Sequence, residues 1–306
     1  MAPSIFDFDA SFGSLEIGTF VSMFLLGIAT LQAWNYFRDF SQDPMMVKLM
    51  VAAIYFADFL HSVMFAHAVH HYTISGFLNI AVLVKTVWSL EATLVIEAFI
   101  IVIVQCYFGL RVFRVTHSIT LAVGIWFLAL VRMGLTLGIM AASVQNGTLA
   151  VTSTRAFRYQ AILETSIAAF TDVVTALALC LALLRRRTGF AHTDRLIDRI
   201  VAFTIGSGLF TSFISIAQLV AYLALSGDFV WIAFFSISSK MFSNSLLASL
   251  NERGSNRLVS LTLQRSAVTN ASTRVTFTQP YVTYADQAAG ETSALELGER
   301  SEKTVV

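Results

Sequence analysis

Six ionisable residues stand inside stretches otherwise built from Leu, Ile, Val, Phe and Ala: Asp58, Glu97, Arg132, Glu164, Asp172 and Lys240. At bilayer depth such a group costs about 2.5–3.5 kcal/mol on insertion scales, so six facing lipid singly would cost on the order of 15–20 kcal/mol. The entire stability of a fold is only about 5–15 kcal/mol. These side chains must turn inward, where they can pair, bind an ion, pass a proton or hold a polar ligand. Polar neighbours recur at helical spacing on the same stretches. Ser236, Lys240 and Ser243 share a face with Asn244 beside it, and Thr204, Ser207, Thr211, Ser215 and Gln218 form a stripe. Thr175 lies beyond Asp172, and Gln105 two turns beyond Glu97. The candidate site is Asp58, Glu97, Arg132, Glu164, Asp172, Lys240, Ser236, Ser243 and Asn244, read as a packing network or as a chamber for a ligand, ion or proton.

Lys240 invites one specific chemistry. A desolvated lysine can attack a carbonyl, as in a retinal Schiff base. The surroundings argue against it: Ser236 stands one turn before Lys240, where microbial rhodopsins carry an acid, and Trp34, Trp88, Trp126 and Trp231 lie mostly toward run ends. An ion pair is expected instead, with Asp58, Glu97, Glu164 or Asp172. His67 and His71 have the four-residue spacing of helical metal pairs, yet no other run offers a histidine at that depth. His61, His67, His70 and His71 are therefore read as interface residues, and neither metal nor cofactor is expected. Cys106 and Cys180 sit within apolar runs and read as packing residues.

The elements that must position these groups are seven apolar runs, near 12–37, 46–70, 88–112, 118–143, 157–184, 196–225 and 229–250. Each suffices to cross a hydrocarbon core, which needs about 20 apolar residues in a helix. Lipid cannot hydrogen-bond the backbone, so the runs must be helical. Hydrophobic residues make up 56% of the chain and charged ones 13%, far from the balance of a soluble domain. The predicted class is an all-α membrane protein, a seven-transmembrane-helix bundle with a disordered C-terminal tail. Residues 1–11 form a short extracellular N-terminus, 12–250 the membrane domain and 251–306 the tail, where Ser, Thr, Glu and Ala replace large apolar residues. A net charge of +1 leaves nucleic acid out as a partner.

Charge placement predicts the orientation. Arg38, Lys48, Arg111, Arg114, Arg185, Arg186, Arg187, Arg195, Arg199, Arg253 and Arg257 fall at one side, against Lys85, Arg155 and Arg158 at the other. The positive-inside rule puts the first group in the cytoplasm, with the N-terminus extracellular or lumenal and the C-terminus cytoplasmic. No cleavable signal peptide is expected, and the first run serves as a signal anchor. The sequon Asn146-Gly147-Thr148 falls on the outer side and marks Asn146 for glycosylation. The basic segment from Arg185 to Arg199 suits anionic lipid headgroups or a cytoplasmic partner. Gly134 and Gly138 have the small-xxx-small spacing of close helix packing, within the chain or across a dimer.

Three stretches carry a resemblance: Gln32-Ala33-Trp34-Asn35-Tyr36-Phe37 with Asp43 and Lys48; Arg187-Thr188-Gly189-Phe190 through Arg199 to Thr204; and Lys240-Met241-Phe242-Ser243-Asn244-Ser245-Leu246-Leu247-Ala248-Ser249-Leu250-Asn251. Together they resemble a large family of integral membrane proteins from mushroom-forming basidiomycetes, known as domain of unknown function 6534. The resemblance implies a fungal protein with seven helices and lends no activity or ligand. The leading expectation is a receptor-like or sensor protein holding a small or lipidic ligand in its polar interior. The alternative is a transporter, channel or proton-coupled carrier using the buried charges. No catalytic or nucleotide-binding motif is present, so an enzyme is not expected. Membrane lipids are the one partner class that the composition demands.

Overall fold

The computed structural model describes residues 12–76, 79–185, 191–225 and 228–275. The expected extracellular residues 1–11, Arg186 and Arg187 of the basic segment, and residues 276–306 of the tail lie outside them. Among the described residues seven long helices follow one another: α1 (Ser14–Asp39), α2 (Met45–His70), α3 (Trp88–Thr116), α4 (Ile119–Asn146), α5 (Arg155–Leu184), α6 (Ala191–Ala224) and α7 (Val230–Val275). A π turn (His71–Ser75) and a helical turn (Ile80–Leu83) occupy the α2–α3 connection, and a 3-10 turn (Leu149–Ser153) follows α4. No strand is present among the described residues; one isolated bridge joins Lys85 to Thr148. The chain forms two compact units, residues 1–258 and 259–306. The first is the helical bundle, and the described part of the second is helical.

Local chemistry sets the helix ends. Thr154 caps α5 by accepting the Phe157 amide, and Gly147 ends α4 in the left-handed region at φ 64°, a conformation that glycine adopts without a Cβ penalty. Here α7 corrects the sequence expectation. Instead of ending near Leu250 it continues to Val275, because no proline interrupts residues 251–275 and Ser, Leu, Arg and Ala are tolerated in a helix.

Six helices among the described residues are long and apolar enough to cross a membrane, the last of them over Ile197–Ala224. The protein is a multi-pass integral membrane protein. Its outer faces carry large exposed apolar side chains, such as Phe20, Phe24 and Trp34 on α1 at 66–70% exposure. α7 is the exception. It holds Ser236, Ser238, Ser239, Ser243, Ser245 and Ser249 as well as Lys240 and Asn244, and all eight are buried.

The contacts of α7 explain its composition. Asn244 donates to the Leu25 carbonyl of α1, Lys240 pairs with Asp58 of α2 and Arg111 of α3 donates to Ser249. Arg132 of α4 lies over Phe242, and Trp231 packs on Phe157 of α5 and Tyr222 of α6. A helix touched by all six others needs no lipid-facing surface, so polar residues that lipid would reject can occupy it.

Among the described residues, close approaches rest on glycines at three places, one of them Gly109 against the Trp126 ring. A Cβ on Gly18 would stand 2.8 Å from the Ala233 Cα, and one on Gly208 would stand 2.7 Å from the Ala176 Cβ. Gly18→Val is expected to destabilise the bundle by about 1–3 kcal/mol through overpacking against backbone, measured as a lower melting temperature in detergent. Gly134 behaves otherwise: a Cβ there meets nothing within 4 Å, and one on Gly138 meets only Gln160. Among the described residues, then, Gly138 faces α5 through Gln160 while Gly134 faces no neighbouring helix.

Candidate functional site

All nine candidate residues are buried. Helical spacing brings each inward, and the bundle sorts them into separate groups. Asp58 and Lys240, 182 positions apart, meet where α2 faces α7: the ammonium donates to Asp58 Oδ1 at 2.9 Å and to the Asp58 carbonyl at 2.6 Å. Neither side chain has any exposure. Of the four acids open to Lys240 on sequence grounds, the fold selects Asp58. Ser236, one turn before Lys240, keeps its hydroxyl oxygen without a hydrogen-bond partner among the described residues, and the Ser243 hydroxyl, one turn after, is close enough to act on the Asp58 carboxylate. Asn244 serves packing, its amide donating to the carbonyls of Leu25 and Lys240.

The second pair joins α4 to α5. Arg132 Nε donates to Glu164 Oε1 at 2.6 Å, and the guanidinium lies 4.9 Å from the centre of the Phe242 ring, a cation–π distance. Thr165 donates to the other Glu164 oxygen at 3.3 Å. Two further acids have no ion pair among the described residues. Glu97 of α3 is 2% exposed, with Oε2 lacking a partner. Asp172 of α5 accepts from Gln105 Nε2 at 3.3 Å, with Oδ2 lacking a partner. Arg132 lies in the electrostatic reach of Glu164, Glu97 and Asp172, and Glu97 is within the reach of Lys240 as well. Glu91, absent from the sequence-based set, is buried in the first turn of α3 and accepts from Ser143 of α4. An acid at a helix start also interacts with the helix dipole, and this local role hid its inward position.

His61 also departs from expectation. It has no exposure, stacks on Phe65 at 6.3 Å and lies 6.1 Å from Phe235, and neither ring nitrogen has a hydrogen-bond partner among the described residues. It is a core residue, not an interface one. The signal was present: His61 follows Asp58 by three, which puts both on one helix face. His67 does lie near the end of α2, where it bonds Ser89 and packs on Trp88. Among the described residues no His, Cys, Asp or Glu group is arranged to hold a metal ion.

Three cavities lie toward one end of the bundle. The largest, about 470 Å³, lies among the α2–α3, α4–α5 and α6–α7 connections; Arg158, Tyr222, Asp228, Phe229 and Trp231 contribute to its wall. Tyr222 and Trp231 of that wall belong to an aromatic trio with Phe157: Trp231 is 6.0 Å from Phe157 and 5.5 Å from Tyr222, and Tyr222 is anchored by a bond from its hydroxyl to the Thr152 carbonyl. Under that trio, one void of about 30 Å³ reaches Glu164 and Thr136, and another of about 40 Å³ reaches Glu91 and Ser143. No sequence pattern announced the trio, whose members come from three helices.

At the other end, the stretches that carried the family resemblance converge. Asn251 donates to the Gln32 carbonyl, Tyr36 donates to Asp43, Arg253 pairs with Asp43 at 2.6 Å and Arg199 pairs with Glu252 at 2.7 Å. A family model described as a family of unknown function, DUF6534, matches residues 168–255. That match covers α6, the first part of α7 and most of α5, including Asp172 and Lys240. No curated protein matches the chain, and no solved structure does.

Proposed function

We propose that the protein crosses the membrane seven times, with α7 as the seventh span, and acts as a receptor-like sensor of the fungal seven-helix kind it resembles. In this reading the α2–α3, α4–α5 and α6–α7 connections face outward or into a lumen, with an exposed Asn146 as a glycan acceptor. The C-terminus and the Arg185 to Arg199 segment face the cytoplasm, the latter docking lipid headgroups or a cytoplasmic partner. The observation that carries the reading is the cavity of about 470 Å³ above the aromatic trio. Small-molecule sites span roughly 300–1,000 Å³, with apolar walls and a few polar groups. Here Arg158 and Asp228 supply both charge signs, while Tyr222, Phe229 and Trp231 supply apolar area, a combination suited to a small amphipathic ligand. The trio offers a route inward: Phe157 and Tyr222 border the void that reaches Glu164, Glu164 holds Arg132, and Arg132 lies over Phe242 of α7.

The test is a thermal-shift screen of small amphiphiles against the full chain in lipid nanodiscs, with tryptophan fluorescence as a second readout. A binder is expected to raise the melting temperature saturably. Trp231→Ala is expected to weaken binding by at least about tenfold (about 1.4 kcal/mol), and Arg158→Ala to act selectively on ligands with an anionic group. Binding unchanged by both variants would remove the cavity from the reading. A proton-coupled carrier is the second reading, favoured by Glu97, a buried acid without an ion pair. In proteoliposomes it requires substrate-dependent proton uptake that Glu97→Gln abolishes.

A further inference from the structure

A cavity of about 40 Å³ lies between α3, α5, α6 and α7, separate from the aromatic trio. Gln105, Asp172, Thr175, Thr204, Ser207 and Thr211 line it. Three of their atoms are buried with no partner within hydrogen-bond geometry among the described residues, Asp172 Oδ2, Gln105 Oε1 and Thr175 Oγ1, and the Thr211 hydroxyl is close enough to act on the Asp172 carboxylate. Their residues are 3–7% exposed. Each such atom lacks the hydrogen bonds that water would supply. Three of them border one small space. Roughly 10–15 Å³ of such space holds one water, so the cavity has room for an ion and a water.

The chemistry of the wall selects the occupant. All three orphan atoms are oxygens, and the remaining hydroxyls add oxygens alone. Sulfur and imidazole, which softer metals prefer, are missing from the lining. One carboxylate supplies one formal charge, whereas calcium sites draw on several carboxylates. The amide of Gln105 gives its Nε2 hydrogen to Asp172 Oδ1, which leaves its carbonyl oxygen on the lining. Thr175 follows Asp172 by three, so both oxygens leave α5 on the same face. The guanidinium of Arg132, which acts on Asp172 from a distance, is committed to Glu164 at 2.6 Å.

We propose that this cavity is a site for a hard monovalent cation of sodium's size, held by Asp172, Gln105 and Thr175 with hydroxyls of α6 completing the shell. Because the site bridges α3, α5 and α6, an ion bound there stabilises their packing, and its affinity is linked to any movement of α6. The proposal is independent of the ligand cavity above.

The experiment measures the melting temperature of the full chain in nanodiscs at constant ionic strength and pH while sodium chloride replaces choline chloride. A saturable rise with sodium is expected, following the linkage between ligand concentration and stability. Asp172→Asn is expected to abolish the sodium response, and Gln105→Leu and Thr175→Val each to shift its midpoint about tenfold upward. Should Asp172→Asn fail to fold, the two neutral variants carry the test alone. Equal melting in sodium and choline, or a sodium response unchanged in the variants, overturns the proposal. So does a response of Asp172 to pH with none to sodium, which would make a proton the occupant.

Discussion

Lys240→Met is expected to destabilise the protein by about 3–5 kcal/mol, because it leaves the Asp58 carboxylate buried without its cation. The pair sits at zero side-chain exposure at 2.9 Å, so neither water nor lipid headgroup can replace the ammonium. Asp58 also loses the donor to its main-chain carbonyl, which Ser62 then serves alone. Equilibrium unfolding in bicelles, followed by tryptophan fluorescence, measures the loss. The double variant Asp58→Leu, Lys240→Met should recover most of it, since replacing both members of a buried pair with apolar groups is often near neutral. A double variant as weak as the single one would mean that Lys240 acts through packing and not through charge.

The second large effect falls on Arg132. Its removal, as Arg132→Met, leaves Glu164, Glu97 and Asp172 without the cation they share, and it abolishes the contact with Phe242. The loss should equal or exceed the 3–5 kcal/mol or so of a single broken buried pair. Neutralising Glu164 at the same time should restore only part of it, because Glu97 and Asp172 stay behind. Arg132→Lys is no substitute. The planar guanidinium bonds Glu164 while lying over an aromatic ring, a geometry that an ammonium does not reproduce. The same unfolding measurement, run on Arg132→Met with and without Glu164→Gln, decides the matter. Full rescue by Glu164→Gln would show that the other two acids do not depend on Arg132.

Much of the fold was legible before any coordinates. Helix bounds fell within a few residues of the apolar runs for α1 to α5, since about 20 consecutive apolar residues leave helix as the one outcome in lipid. The inward turn of Asp58, Glu97, Arg132, Glu164, Asp172 and Lys240 followed from the same argument. Their partners did not. Asp58 and Lys240 are 182 positions apart, and periodicity within one helix carries no information about which helix it faces. The end of α7 was misread because composition marks the loss of an apolar face, not the loss of helix. His61 was misplaced because the cluster His67, His70 and His71 drew it toward the interface, although its spacing from Asp58 pointed inward. The aromatic trio and the Asp172 cavity depend on side chains from three or four helices, and no local pattern encodes such a meeting.

The placement of α7 inside the ring of its neighbours bears on how the molecule is assembled. During synthesis α1 to α6 leave the ribosome first, and Asp58 reaches the bilayer long before its cation exists. An opening must wait among the earlier helices, wet or held by a chaperone, until the last one arrives. On the proposed seven-span reading, that last helix is too polar to favour hydrocarbon by itself and gains its affinity from the socket it enters. Chains truncated before Val230 should therefore be recognised by quality control as unfinished, and α7 supplied as a separate fragment should complete them.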